Sequence, residues 1–261
     1  MDVVINADDY GCDERKTRAI IECMDRRIVT STTVMANMPM FEVAMKTARE
    51  KGFLQDVGLH FNLADGIPLT EEMRCCRTLC DENGRFSPVW HRHMKSRLIL
   101  PCEARRAVVA EANAQIMRFL DCGGKLMHFD SHYHTHTDFS VATVLLPLAR
   151  KFGFKTVRLS RTIGGSGGVI KNLYKKVFNG YAKRVFGAGT DEFTDFRSFQ
   201  AFYRELPKEA VVEVMVHPEY TRKLFEGKSI MHDMGRVMKD DGIFWDNLRR
   251  QGVRTVGYSE I

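Results

Sequence analysis

Residues 128–136 read His-Phe-Asp-Ser-His-Tyr-His-Thr-His. Alternate residues of a strand share a face, so His128, Asp130, His132, His134 and His136 line up on one side for as long as a strand lasts. Such a face is costly in an ordinary core, because buried polar groups need partners. A metal or a catalytic site supplies them. Five such residues do not all fit round one ion, so some are expected to orient the imidazoles of the others.

Further polar residues interrupt apolar runs. Asn6-Ala7-Asp8-Asp9-Tyr10-Gly11 places adjacent carboxylates after a β-branched stretch. Both reach one site only if the chain has left the strand, which Gly11 permits; a helix cap or surface turn is the other reading. His60 in Gly58-Leu59-His60-Phe61-Asn62 is either a ligand or a hydrogen-bonded core residue. His217 ends the run Met215-Val216-His217, and Arg158 sits inside Val157-Arg158-Leu159, where a plain carboxylate pairing would also account for it. Taken together, Asp8, Asp9, His132 and His217 all fall at C-terminal ends of expected strands, with His60 in the latter half of its own. In a parallel barrel that end is the mouth where sites are built. One Asp and two His make a donor set for a divalent cation with room left for water.

The elements that would position these groups alternate along the chain. Strands are expected at 3–7, 30–37, 57–63, 127–132, 156–160, 211–216 and 253–258, with helices at 13–28, 39–52, 103–122 and 140–152. Strands separated by helices imply βα units and a parallel sheet. At 261 residues one (β/α) barrel fits the length, and no G-x-G-x-x-G follows the first strand. The expected fold is therefore α/β: a single-domain distorted (β/α) barrel, residues 1–261, with about seven mostly parallel strands and two long insertions at 64–101 and 161–197. The second carries Gly164-Gly165-Ser166-Gly167-Gly168, read as a hinge, and a basic amphipathic helix over 171–184, read as a solvated face or a subunit contact.

Composition narrows the function classes. With 39 Lys and Arg against 33 Asp and Glu the net charge is +6, and no long basic run points to nucleic acid. No segment approaches the ~20 apolar residues of a membrane span, so neither nucleic acid nor membrane is expected as a partner. The seven cysteines form no CxxC pair, which favours a reducing cytoplasm over a disulfide framework.

Asn-Ala-Asp-Asp-Tyr-Gly at 6–11, Thr30-Ser31-Thr32-Thr33, Gly58-Leu59-His60-Phe61, 128–134 and Val216-His217-Pro218 together resemble the YdjC-type carbohydrate deacetylases, in matching order across nearly the whole chain. The resemblance implies a distorted barrel, one divalent metal and hydrolysis of N-acetyl groups on an amino sugar or a short N-acetylglucosamine oligosaccharide; it allows magnesium, while two imidazoles and one carboxylate suit zinc, cobalt or nickel. By motif position it makes Asp9, His60 and His132 the metal ligands and Asp8 the catalytic base. His217 is the expected general acid. Asp130, His134 and Arg158 take supporting roles, with Tyr133, Phe61 and Trp90 as surfaces for sugar stacking. A homodimer is expected. The alternatives are another metallohydrolase, such as a phosphoesterase, and a catalytically silent sugar-binding protein. Tyr133 and Glu219 depart from the usual motif residues at their positions, which bears on the sugar accepted.

Overall fold

The computed structural model describes residues 1–164, 167–187, 189–220, 230–231 and 241–261. Its strands are β1 (Asp2–Tyr10), β2 (Ser31–Val34), β3 (Val57–Phe61), β4 (His128–Ser131), β5 (Thr156–Val157), β6 (Glu192–Asp195), β7 (Val211–Val216), β8 (Glu219–Tyr220), β9 (Ile230–Met231) and β10 (Arg254–Thr255). Val3, Val4 and Ile5 are buried, as a parallel strand covered on both faces requires. The main sheet runs β5-β4-β3-β2-β1-β7-β6, every pairing parallel. That order is the chain order read round a circle, so the sheet curls into the expected distorted (β/α) barrel. β5 and β6 do not pair as strands. Instead Thr162 N–H donates to Phe193 O at 3.0 Å and Phe193 N–H to Thr162 Oγ1 at 2.9 Å, bridging the gap. β10 lies against the first residues of β1, on the edge that β2 occupies further along. The antiparallel pair β8–β9 stands apart from this sheet.

The helices follow the strands. α1 (Glu14–Asp25) starts at Asp13, whose carboxylate accepts from Lys16 N–H as an N-cap should. α2 (Phe41–Glu50) follows β2. Next come α3 (Glu71–Arg74), α4 (Val89–Arg92) and α5 (Met94–Leu98), three short helices in the 64–101 stretch, then α6 (Cys102–Asp121) and α7 (Phe139–Phe152). α8 (Val169–Phe186) covers the basic helix expected at 171–184, and α9 (Phe196–Phe202) and α10 (Asp241–Arg250) complete the set described. One large hydrophobic cluster joins the strands to the inward faces of these helices.

Three local expectations change. β6 lies within the 161–197 stretch, where no strand is legible: Glu192-Phe193-Thr194-Asp195 has no β-branched run, and barrel closure rather than composition makes it extended. Trp90 is buried and its indole N–H donates to Leu63 O at 3.2 Å, so it anchors the 64–101 stretch instead of offering a sugar surface. Phe61 is likewise core. Of the hinge expected over 164–168, residues 165 and 166 lie outside the described residues.

Candidate metal centre

Strand register does most of the positioning. His60 of β3 pairs with Asp130 of β4, Phe129 of β4 with Val157 of β5, and Ala7 of β1 with Val216 of β7. Asp130 therefore stands beside His60, Arg158 follows next to Asp130, and Asp8 comes abreast of His217. Asp9 needs a further device. Its φ of +68° lies in the left-handed region, and the β1–β2 register slips between Ala7 and Tyr10. This bulge carries both carboxylates to the same end of the barrel. The bend thus sits at Asp9 itself as well as at Gly11 (φ +79°), where the sequence reading placed it.

Asp9, His60 and His132 each direct one ligand atom to a common point, all within 4.8 Å of one another. Asp9 Oδ1 is 2.9 Å from His132 Nδ1 and 3.3 Å from His60 Nε2. Yet this buried oxygen makes no well-directed hydrogen bond, so the nitrogens stand at the distance but not the direction of a donor. Each imidazole is held from behind by a carboxylate: His60 Nδ1 lies 2.6 Å from Asp130 Oδ1, and His132 Nε2 lies 2.8 Å from Asp65 Oδ2. That is the arrangement that orients histidines toward a metal. The other oxygen of Asp9 accepts from Lys16 Nζ at 2.7 Å. Burial pushes His60 down, but the charge and hydrogen bond of Asp130, with Asp9 behind them, raise it to about 10. Burial pushes Asp9 up, and the two imidazoles pull it well below the carboxylate range. By donor type, spacing and backing carboxylates, these three residues fit a divalent cation.

Below this point Arg158 is wholly buried and gathers three carboxylates. It grips Asp8 with two bonds of 2.6 Å, reaches Asp130 Oδ2 at 2.5 Å and donates from Nε to Glu213 Oε1 at 2.7 Å. Asn6 Nδ2 also donates to Asp8, at 2.9 Å, and Thr33 Oγ1 to Asp130 at 3.2 Å. Desolvation raises Asp8, but the guanidinium beside it wins and holds it far below the usual range. Asp8, His60 and Asp130 form a second close group; Arg158 already supplies its positive charge, so it does not read as another cation site. Half-exposed His217 faces Asp8, Nε2 to Oδ2, at 3.9 Å.

The run 128–136 does not stay on one face. β4 stops at Ser131, and Tyr133 and His134 adopt left-handed φ of +53° and +55° in a tight turn. Only Asp130 and His132 of that run join the cluster. His128 stacks on Tyr258 with ring centroids 3.7 Å apart. His136 bonds Ser131 Oγ at 2.7 Å and Arg158 O at 3.1 Å. His134 is half-buried, with its Nδ1 enclosed and unpartnered, and desolvation, then Arg158, press it down to about 3. With Tyr133, which is 51% exposed, it lines a cleft of about 420 Å³ walled by Arg97, Arg161, Lys171 and Lys175. Glu219 lies outside this cluster and pairs with Arg15 at 2.8 Å.

Asp65, Lys16 and Glu213 were not anticipated. Asp65 lies two residues beyond the strand expected at 57–63, much as Asp9 lies beyond its own. Glu213 is a lone acid inside the apolar run of β7, much as Arg158 sits inside Val157-Arg158-Leu159, although Glu213 does not stand at a C-terminal strand end. Lys16 reaches the cluster from α1, and nothing in its sequence position distinguishes it from a surface lysine.

A parallel barrel with carboxylates and imidazoles converging at its C-terminal mouth defines a class of cation-site barrels. Within that class the chain belongs to the YdjC-like protein family, whose model matches residues 2–251. It is 32% identical over 222 residues to a carbohydrate deacetylase of Brevibacillus brevis, covering 84% of this chain and 82% of that one. A carbohydrate deacetylase of Vibrio cholerae serotype O1 is 32% identical over 234 residues, covering 87% and 81%. An Enterococcus faecalis structure, of a protein assigned to cellobiose-phosphate cleavage, superposes with a TM-score of 0.73 at 23% identity over 99% of this chain and 98% of that one, a likeness of fold.

Proposed function

We propose that this protein is a metal-dependent hydrolase that removes N-acetyl groups from an amino sugar or a short N-acetylglucosamine oligosaccharide. The observation that carries the reading is the convergence of Asp9 Oδ1, His60 Nε2 and His132 Nδ1, with each imidazole backed by its own carboxylate. Relatives named carbohydrate deacetylase give the reaction class.

These three residues would hold the ion. A divalent cation, when bound there, would supply charge to polarise an acetyl carbonyl and acidify water. Two imidazoles and one carboxylate suit zinc, cobalt or nickel, and magnesium is the further expectation from the family. Asp8 accepts the proton of the attacking water, and Arg158 keeps its carboxylate ionised and fixed in direction. His217 returns a proton to the departing sugar amine, otherwise a poor leaving group. His134, held neutral by burial, suits positioning better than acid catalysis. Asp130 orients His60, and Tyr133 offers an exposed ring to the sugar. All seven cysteines are free, in keeping with a cytoplasmic setting.

A panel of acetylated amino sugars, scored for released acetate with and without chelator, tests the reading. Asp8→Asn should keep metal and lose turnover, whereas His132→Ala should lose both. Acetate release that survives exhaustive chelation, or normal turnover by Asp8→Asn, would count against it.

A further inference from the structure

α8 has two unlike faces. Phe178, Ala182 and Phe186 pack inward, Tyr174 OH donates to Thr137 O at 2.6 Å, and Lys171 and Lys175 line the cleft beside His134. Outward, Val169, Ile170, Leu173 and Val177 are 85, 86, 60 and 63% exposed, and Tyr181 is 42% exposed. At ~100° per residue these five fall within an arc of about 120°, a single stripe along the helix. Scattered exposed apolar residues are ordinary, but a contiguous stripe marks an interaction surface. α5, which lends Arg97 to the same cleft, leaves Met94 and Leu98 exposed, with Ile99 after it.

Charge decides the occupant. α8 carries five cations (Lys171, Lys175, Lys176, Lys183 and Arg184) and no carboxylate. Lys176, Lys183 and Arg184 are exposed and flank or enter the stripe, Lys183 also donating to Asp191 O at 3.2 Å with the Asp191 carboxylate at 3.9 Å. Two copies pairing through this face would set cations against cations with no counter-charge from the helix. An anionic lipid surface answers both features, taking the apolar stripe to the headgroup boundary and the cations to the phosphates. At 18 residues α8 is about 27 Å long, but its charges forbid a span, and no described helix is long and apolar enough to cross a membrane.

We propose that α8 seats this protein on an anionic bilayer, with the cleft opening beside the headgroups. The sequence predicts no membrane partner because no segment is apolar enough to span, but a helix that lies on a surface needs only one exposed apolar face, which shows once the burial of the other face is known. The test is sedimentation of the full chain with phosphatidylcholine vesicles, with or without a third of phosphatidylglycerol. Wild type should pellet with the anionic vesicles at least about tenfold more than with the neutral ones, and less as salt shortens the Debye length. Combined Val169→Ser, Ile170→Ser, Leu173→Gln and Val177→Ser should abolish pelleting while leaving turnover of a soluble acetylated sugar unchanged. Lys176→Glu with Lys183→Glu and Arg184→Glu, which keeps the apolar stripe, should also abolish it. Wild type remaining in the supernatant with both vesicles overturns the proposal, as does unaltered pelleting of both variants. So does a dimer in light scattering that the stripe variant dissolves without any change in lipid binding, which would make a second copy the occupant.

Discussion

Arg158 holds Asp8 through two parallel hydrogen bonds of 2.6 Å, and the same guanidinium serves Asp130 and Glu213. One buried cation thus ties β1, β4 and β7 to the end of β5. Breaking a buried ion network by removing one partner strands the others in a low dielectric, at a cost of about 3–5 kcal/mol. Arg158→Met is expected to destabilise the fold by about that much in urea unfolding. Arg158→Lys keeps the charge and loses the planar fork, so it should fold better than Arg158→Met yet lose at least about tenfold in kcat. A Lys variant with wild-type kcat would show that the direction of Asp8 is immaterial.

Glu213 supplies the pH dependence. Three carboxylates share one guanidinium, and burial raises Glu213 from 4.5 to about 7, with Arg158 only partly opposing. The folded state therefore binds this proton more tightly than the unfolded chain does. The contribution to stability is complete below about pH 4.5 and is lost as pH rises through about 7. Glu213→Gln removes the titration. Between about pH 5 and pH 8 the wild type should lose stability relative to the variant, by at most about 1.4 kcal/mol per pH unit. Unfolding midpoints of the two proteins that run parallel across that range would show that Glu213 does not titrate there.

The barrel was legible because its strands are β-branched and buried, as in Val3-Val4-Ile5 and Val211-Val212. Asp9, His60 and His132 were legible because each breaks or ends such a run. What failed was the extrapolation of one local rule. Period-2 alternation holds through Asp130 and then ends, since Tyr133 and His134 turn left-handed, and His134 and His136 leave the face that alternation assigns them. Lys16 and β6 were invisible for a different reason. A helix lysine reaching Asp9 and a strand created by closure at Thr162 are products of tertiary geometry, with no local pattern to announce them.

Asp65 holds His132 by the nitrogen turned away from Asp9, at 2.8 Å. It is not one of the three residues whose ligand atoms converge. Loss of a carboxylate that orients a ligating histidine lowers metal affinity by about 10–100-fold. Asp65→Ala should therefore weaken zinc binding by that factor in a competition titration with a chromophoric chelator, and excess metal should restore most of the turnover. An unchanged zinc affinity would mean that His132 is fixed by Asp9 alone.

Gly58 and His128 test whether β3 and β4 are packed as tightly as the site demands. A Cβ on Gly58 would lie 2.4 Å from His128 Nε2, and His128 has little room to retreat, being stacked on Tyr258 at 3.7 Å. Overpacking of this kind costs about 1–3 kcal/mol, so Gly58→Ala should lower stability by that amount. Gly58 precedes His60 by two residues on the same strand, and small displacements of catalytic geometry cost rate heavily. The variant should therefore lose kcat as well. His128→Ala opens the space that the added methyl group needs. The double variant should accordingly be more stable than the sum of the single losses allows, by at least about 0.5 kcal/mol, and should recover part of the lost kcat. Strict additivity in a double-mutant cycle would place the strain of Gly58→Ala somewhere other than the His128 ring.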